Sequence, residues 1–304
     1  MQIHLMLNIL LLALLWGPSF LFIKFSMFEV APLTIVTIRL SLSAIILFIL
    51  LKMKNIPLPR DLKLWKQCFI MGFFASAAPF MLFGYSLLHV DTVITALING
   101  TTPILTVILA NYFLKDEPFT VNRVLGVGLG LSGFLVLFLP SVLNGQASGD
   151  TLGMLMSFGA AACYAIGMVY ARKNINPPPQ KLVLPTMQLL TTMLYMVPLA
   201  CLIDPPLAVS SLSLQTWGSL LGLCILGTVF AFIIYYKIVL KYGATALSTV
   251  TYILPIFSMT FGVIFLDEPF TLNLGFAALL ILLGTMVING FIPVKFLRKG
   301  PAAA

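Results

Sequence analysis

Ten apolar runs, each about 20 residues long, occupy most of this chain of 304 residues. A helix of about 20 apolar residues crosses the roughly 30 Å hydrocarbon layer of a bilayer. Lipid offers no hydrogen-bond partner to backbone amide and carbonyl groups, so such spans must be helical. We therefore predict an all-α polytopic membrane protein with ten transmembrane helices, here called the first to the tenth span, near residues 5–25, 31–51, 64–88, 92–114, 121–141, 152–172, 182–203, 216–240, 244–266 and 272–293.

The composition agrees with this prediction. Hydrophobic residues make up 60% of the chain and charged residues only 9%, whereas a soluble domain carries about 25% charged residues. Trp16, Gly17 and Pro18 interrupt the first apolar run and no small-residue cleavage site follows. The run is therefore predicted to be a retained helix rather than a signal peptide. The four cysteines lack metal-ligand spacing, so we expect packing thiols, no metal and no cofactor.

The cationic residues are concentrated on alternate loops. Of the 17 Lys and Arg residues, 15 fall in the even-numbered loops and the C-terminal tail. The positive-inside rule then places both termini in the cytoplasm. The net charge of +8 is accordingly interpreted as membrane orientation, and we expect no nucleic-acid partner. The expected location is the bacterial inner membrane.

The chain carries an internal duplication. Asp-Glu-Pro-Phe-Thr at 116–120 recurs at 267–271, 151 positions later, and its surroundings recur as well. The paired positions are Trp65 and Trp217, Phe80 and Phe232, Pro103 and Pro255, and Gly133 and Gly284. Each copy holds five spans, an odd number, so the second copy must cross the membrane in the opposite direction. We predict repeats over 5–141 and 152–293, followed by a cytoplasmic tail, 294–304, whose Gly-Pro-Ala-Ala-Ala ending is typical of a cloning scar.

Several of these motifs resemble a known family. Leu15-Trp16-Gly17-Pro18-Ser19-Phe20, followed by Lys24, Pro32 and Arg39, is similar to the opening of the drug/metabolite transporter superfamily of the EamA type. The paired Pro…Asp-Glu-Pro…Gly pattern resembles its repeat signature. The resemblance implies ten helices in two inverted five-helix repeats and export or facilitated transport of small metabolites. Thr192 stands where the second repeat would mirror Arg39, and Tyr164 stands in place of a second Trp.

Polar and aromatic residues at mid-span are the candidates for a central cavity. Polar groups at membrane depth usually face a cavity or a neighbouring helix, and small-molecule sites combine apolar walls with a few hydrogen-bonding groups. The alternative is that the Ser and Thr residues bond only within the helix bundle. The candidates, most of them paired between the repeats, are Trp16, Ser76, Phe80, Asn99, Thr102, Tyr164, Thr228, Phe232, Thr251 and Tyr252.

A second set of residues is assigned a structural or gating role. Pro79, Pro103 and Pro255 are expected to form hinges or static kinks, because each lacks a backbone N–H. For Arg39 we favour a bond to helix-end carbonyl groups over a substrate contact. Glu117 and Glu268 are expected to cap helix N-termini, whose dipoles favour negative charge, with gating as the alternative.

The predicted function is transport of small amino-acid-like, aromatic or neutral metabolites by alternating access through a central cavity, as an exporter or facilitator. The alternative is a nucleotide-sugar or phosphate-ester exchanger of the same superfamily, although such a protein would be expected to contain more deep cations than Arg39. A channel or flippase ranks lower. An intramembrane protease is disfavoured, because Gly130-Leu131-Ser132-Gly133 has no histidine on a later span to activate the serine.

The expected partners are a small-molecule substrate and the lipid bilayer, with the protein acting as a monomer or weak homodimer. The Gly126-x3-Gly130 spacing is typical of a helix dimer seam, but close packing inside the bundle explains it equally well.

Overall fold

The computed structural model describes residues 2–114, 120–143, 149–175, 182–204, 212–242 and 250–292. Over these residues all regular structure is helical. Eight helical stretches are long and apolar enough to cross a membrane, and Ile253–Leu266 and Leu272–Ile288 are shorter apolar helices. The prediction of an all-α polytopic membrane protein is confirmed. The predicted tail, 294–304, lies outside the described residues.

Fourteen α-helices and two π-helical segments build the described part of the chain. The π segments are Phe73–Ala77, in the third span, and Gly222–Phe230, in the eighth. The α-helices are α1 Gln2–Trp16, α2 Ser19–Ser26, α3 Pro32–Met53, α4 Leu62–Gly72, α5 Ala78–Ser86, α6 Thr92–Asn99, α7 Thr102–Phe113, α8 Val121–Leu143, α9 Gly149–Asn174, α10 Val183–Ile203, α11 Leu214–Leu221, α12 Ala231–Tyr242, α13 Val250–Leu266 and α14 Leu272–Ile288.

Four of the ten spans are not the continuous α-helices that hydropathy predicts. The first span breaks at Gly17 and Pro18, between α1 and α2, and the fourth breaks between α6 and α7, just before Pro103. A proline inside a helix removes one hydrogen bond and crowds the carbonyl group four residues earlier, which accounts for both breaks. The third and eighth spans widen into the π segments, a rare geometry that is frequent at functional sites.

Equivalent spans of the two halves pack against each other in opposite directions. A Cβ atom placed on Gly126 of α8 would lie 2.5 Å from the carbonyl oxygen of Gly284, whereas one on Gly133 would lie 2.9 Å from that of Ala277. Contacts therefore move backwards along α14 as they move forwards along α8, so the two helices are antiparallel. Gly126 and Gly133 thus face α14 of the same chain, and a Cβ on Gly284 of α14 would lie 2.6 Å from Gly130 N, which is the packing alternative to a dimer seam.

Most of the remaining contacts between the halves occur in matched pairs. The third span packs on the sixth and the eighth on the first; the fourth packs on the sixth and the ninth on the first. The second packs on the eighth and the seventh on the third. The tenth span packs on the fourth as well, and the fifth on the sixth. Exchanging the halves therefore reproduces most of the packing pattern. Together with the antiparallel α8–α14 pair, this pattern agrees with two inverted five-helix repeats related by a pseudo-twofold axis.

One buried cluster of 11 residues lies where the halves meet. It joins Leu33 and Leu40 of α3, Phe80 of α5, Leu189 of α10 and Val229 of the second π segment. The second, third, seventh and eighth spans thus share one core, and the polar site described below is embedded in it.

Candidate functional site

Arg39 lies at the centre of the structure and is only 3% exposed. Its Nε donates a hydrogen bond to Thr228 Oγ1 (2.9 Å) and its Nη2 donates to the carbonyl oxygen of Gly227 (3.1 Å). The guanidinium carbon stands 4.0 Å from the centroid of the Phe80 ring, a favourable cation–π position. The acceptors belong to a mid-span π segment rather than to a helix end. Among the described residues no carboxylate is paired with Arg39.

Gln188 supplies the counterpart of this interaction in the other half. Its Nε2 donates to Ser76 Oγ (2.8 Å), and Ser76 and Thr228 are 152 positions apart in the two π segments. In each half, therefore, a long side chain of the second span (α3 or α10) bonds to the π segment of the opposite half. The internal repeat aligns Thr192 with Arg39, but the Thr192 hydroxyl donates to the Gln188 carbonyl oxygen (2.8 Å) and accepts from the Tyr195 hydroxyl (3.3 Å), both on its own helix.

Sequence reasoning missed Gln188, although a long polar side chain within an apolar span was visible in the sequence. Thr192 lies one helical turn after Gln188, on the same face of α10. Its Oγ1 packs against Gly72 of the third span, but its hydrogen bonds stay within α10, whereas the Gln188 amide bonds to Ser76 across the interface. An alignment by position alone therefore selected a residue on the right face that makes no hydrogen bond to the π segment.

Aromatic residues surround the polar centre in a mirrored arrangement. The Tyr164 ring lies 6.1 Å from Phe80 and 6.0 Å from Phe83, and the Trp16 ring lies 5.9 Å from Tyr235. Phe83 and Tyr235 are 152 positions apart. The Tyr164–Phe83 and Trp16–Tyr235 contacts are thus equivalent in the two halves. The ring of the predicted candidate Phe232 lies 6.5 Å from that of Tyr235, and Phe232 and Tyr164 pack against the buried cluster that contains Phe80.

The fourth and ninth spans contribute the other predicted polar candidates. Thr102 Oγ1 donates to the Asn99 carbonyl oxygen at 2.7 Å and lies 3.2 Å from Asn99 Oδ1. Both residues flank the break between α6 and α7. Thr251 lies in the first turn of α13 and is half-buried, while the side chain of Tyr252 lies outside the described structure. The structure therefore brings Arg39, Phe80, Tyr164 and Thr228 together at the centre. Ser76 lies in the equivalent position of the other half, bonded to Gln188.

Two of the three prolines assigned a hinge or kink role occupy a helix irregularity. Pro79 directly follows the first π segment, and Pro103 lies in the first turn of α7 after the break. Pro255 lies inside the continuous helix α13, and its Cγ is 3.7 Å from a Cβ position on Gly100. Pro255 of the ninth span therefore faces the break of the fourth. Whether these points bend during transport stays a prediction.

Glu268 caps a helix of the opposite half. It is 7% exposed; Oε1 accepts a hydrogen bond from Thr92 N (2.8 Å), and Oε2 accepts from Thr92 Oγ1 (2.7 Å) and Val93 N (2.9 Å). The N-terminus of its own following helix, α14, is capped by Thr271. The acidic side chain is therefore left to stabilise α6, whose unpaired N–H groups favour a negative charge. Glu117, its repeat counterpart, lies outside the described residues.

Two more acidic side chains cap helices across the same end of the bundle. Asp204, after α10, accepts from the backbone N of Thr34 (2.8 Å), and Glu29, after α2, accepts from Ser213 N (2.9 Å). Hydrogen bonds from the Thr216 side chain and from Ser213 lower the pKa of Glu29. Three carboxylates thus tie the two halves together at the end that the charge pattern predicts to be outside.

Asp91 lies beside the Glu268 cap without sharing it. It occupies the position before α6, yet its side chain makes no capping bond, because Glu268 already accepts the Thr92 and Val93 amides. Burial, followed by the nearby charge of Glu268, raises the pKa of Asp91. This end of the fourth span therefore holds two carboxyl groups beside one helix N-terminus.

Known proteins of similar sequence are transporters. The chain is 25% identical to the uncharacterized transporter YoaV of Bacillus subtilis over 93% of this chain and 96% of that protein. It is 25% identical to an uncharacterized transporter of Archaeoglobus fulgidus over 90% and 94%, and 25% identical to a chloroplastic WAT1-related protein of Arabidopsis thaliana over 84% and 62%.

One solved structure, described only as the crystal structure of a protein, matches 95% of this chain and 98% of its own with a TM-score of 0.66 at 20% identity. That likeness supports the fold alone. The EamA-like transporter family model matches the chain twice, over residues 4–139 and 151–290, which cover both halves described above. This chain is a member of the EamA-like transporter family.

Proposed function

We propose that the protein moves small metabolites, amino-acid-like or aromatic and neutral solutes, across a bacterial inner membrane as an exporter or facilitator. Both termini are cytoplasmic in this proposal, as the distribution of Lys and Arg predicts. The observation that carries the proposal is the mirrored pair of buried polar bonds, Arg39–Thr228 and Gln188–Ser76, placed in two π segments. A transporter built from inverted repeats has its substrate site near the midplane where the repeats meet.

Alternating access follows from the same arrangement. Three carboxylate caps join the halves at the outer end, so opening toward the outside requires that these bonds break. The breaks of the first and fourth spans and the π segments lie beside the centre and supply the points at which the halves reorient. Because the two halves have equivalent folds in opposite orientations, the conformation open to the inside and the conformation open to the outside have similar energies, and the protein can interconvert between them.

The test is uptake by proteoliposomes containing the full chain, measured for amino acids, aromatic metabolites, nucleotides and cationic drugs with and without a pH gradient. We expect saturable uptake of at least one aromatic or amino-acid-like solute. Saturable exchange of a nucleotide sugar or sugar phosphate would favour the exchanger instead, and flux that never saturates would favour a channel.

The matched variants are Trp16→Ala combined with Asn99→Ala, and Trp217→Ala as a control. Trp16 borders the aromatic centre, whereas Trp217 is 36% exposed near the outer end of the eighth span. The double variant is expected to lose at least tenfold in uptake, about the effect of 1.4 kcal/mol, with little change in the control. Full uptake by the double variant would contradict the proposed cavity.

A further inference from the structure

The charge of Arg39 is not balanced within the described structure. A guanidinium group has five N–H donors, and two of them are used, toward Thr228 and Gly227. A charged side chain at the bilayer centre is costly, by about 3 kcal/mol on insertion scales, and normally pairs with an opposite charge or with backbone carbonyl groups. The Phe80 ring and two neutral oxygens compensate only part of that cost. Arg39 therefore has both the charge and the free donors to bind an anion.

Ser19 provides a second donor beside it. Ser19 begins α2 and is 8% exposed, and its hydroxyl has no hydrogen-bond partner among the described residues. Such buried polar groups are rare, because an unmade hydrogen bond costs free energy. A Cβ atom on Gly227 would lie 3.1 Å from Ser19 Oγ, 3.5 Å from Arg39 Nη2 and 3.8 Å from the Gly222 carbonyl oxygen. The two donors therefore converge on the face of Gly227 that carries no side chain.

The surroundings of this space are aromatic. Phe80 lies under the guanidinium group, and Tyr164 packs against Phe80 and Phe83. The described contacts of Arg39 and Ser19 include no carboxylate that would accept a substrate ammonium group. One guanidinium balances one negative charge, whereas a phosphate ester carries close to two.

We propose that the centre binds an aromatic monocarboxylate, with its carboxylate between Arg39 and Ser19 above Gly227 and its ring against Phe80 and Tyr164. This proposal rests on the transport function proposed above and names the substrate class of the same site. Arg39 neutralises the charge, Ser19 donates one hydrogen bond, and Gly227 leaves the room. The Gln188–Ser76 pair is neutral, so the anion site belongs to one half only.

The experiment measures binding to the purified full chain in detergent, read as protection against thermal unfolding. The probes are phenylacetate, phenylacetamide and phenyl phosphate. Charge-assisted hydrogen bonds are about twice as strong as neutral ones, so phenylacetate should bind at least about tenfold more tightly than the amide. Phenyl phosphate should bind more weakly than phenylacetate. Equal affinity for acid and amide, a preference for the phosphate, or no protection by phenylacetate would overturn the proposal.

Variants separate the three roles. Arg39→Gln should abolish the preference for acid over amide, and Ser19→Ala should weaken phenylacetate binding about tenfold and phenylacetamide binding by less, because a hydrogen bond to a carboxylate is stronger than one to a neutral carbonyl. Gly227→Ala should weaken binding of the acid by filling the space. A Ser19→Ala protein that binds phenylacetate as tightly as the unmodified protein would contradict the assignment of its hydroxyl.

Ser41→Ala is the matched control. The Ser41 hydroxyl is also buried without a partner, but it lies two residues from Arg39 on α3, about 200° around the helix. Removing it should leave phenylacetate binding unchanged. Saturable uptake of solutes with no preference for a carboxylate would overturn this site and leave the transport function standing. The absence of saturable uptake of every solute would instead overturn the transport function.

Discussion

Glu268 illustrates how one residue links the two halves. A carboxylate that is 7% exposed is stable only when its oxygens accept hydrogen bonds. Glu268 has three such bonds, all from the N-terminus of α6. Its charge is further favoured by the helix dipole. The side chain therefore contributes to holding the two halves together at this end of the bundle.

Replacing Glu268 with Gln should weaken this end of the bundle. The amide keeps one oxygen acceptor but presents an NH₂ group to backbone N–H donors, so at least one buried donor loses its partner. We expect a loss of about 1–3 kcal/mol in the free energy of unfolding, measured by thermal unfolding in detergent.

The neighbouring Asp267→Asn variant is the control for Glu268→Gln. Asp267 is exposed and has a φ of 53°, a conformation that asparagine tolerates. Its unfolding should match that of the unmodified protein. Equal stability of the Glu268→Gln protein would show that the cap does not hold the halves together.

The sequence predicts which residues need a bonding partner, but not which residue that partner is. Arg39 was expected to bond to another group, because a charged side chain within an apolar span is costly unless it is paired. The identity of that partner, Thr228, and of its mirror-related counterpart, Gln188 with Ser76, depends on which helices are neighbours. Glu268 was expected at a helix N-terminus, but no local pattern indicates that the helix lies 176 positions away in sequence.

At the scale of elements, α8 and α14 show why the glycines are needed. The backbones of these antiparallel helices approach so closely that a Cβ on Gly284 would lie 2.6 Å from the Gly126 carbonyl oxygen. Small residues permit such approach in membranes, where dispersion contacts rather than the hydrophobic effect drive helix association. This close packing of α8 on α14 therefore fixes the fifth span to the tenth.

Gly126→Ala and Gly128→Ala form a matched pair of tests on this seam. The methyl group at 126 would lie 2.5 Å from the Gly284 carbonyl oxygen, whereas nothing lies within 4 Å of one at 128. Overpacking should cost Gly126→Ala about 1–3 kcal/mol. Gly128→Ala should be neutral or stabilising by up to about 1 kcal/mol, because alanine favours helix.

A thiol-reactive dye is a suitable reporter of unfolding for these glycine variants, because Cys68 and Cys224 are buried. The two midpoints should differ, with Gly126→Ala unfolding first. Equal midpoints would mean that α8 and α14 are not in close contact.

Hydropathy located the spans but not their internal irregularities. A segment of apolar residues has the same mean hydropathy whether its backbone forms α-helical hydrogen bonds, from residue i to residue i−4, or π-helical ones, from residue i to residue i−5. The break at Pro18 was foreseeable from the missing N–H. The segment Gly222–Phe230 contains no proline, and its widening, in which Thr228 Oγ1 donates to the Leu223 carbonyl oxygen at 3.0 Å, follows from packing that sequence patterns do not record.

At the scale of the whole molecule, one duplication accounts for most of the architecture. The repeated Asp-Glu-Pro-Phe-Thr motif predicted two five-helix units, and an odd number of crossings predicted their opposite orientation. The antiparallel α8–α14 seam and the paired contacts agree with that reasoning. The centre departs from symmetry at Arg39 and Gln188, because one half carries a charge and the other a neutral amide.

The orientation of the two repeated motifs in the membrane tests this account most directly. Thr120→Cys and Phe270→Cys, at exposed positions of the two repeats, would each be introduced into a chain whose four cysteines are replaced by alanine. A membrane-impermeant maleimide should label Phe270→Cys in intact cells and Thr120→Cys only after the membrane is opened. Labelling of both from the same side would contradict the inverted arrangement and with it the shared central site.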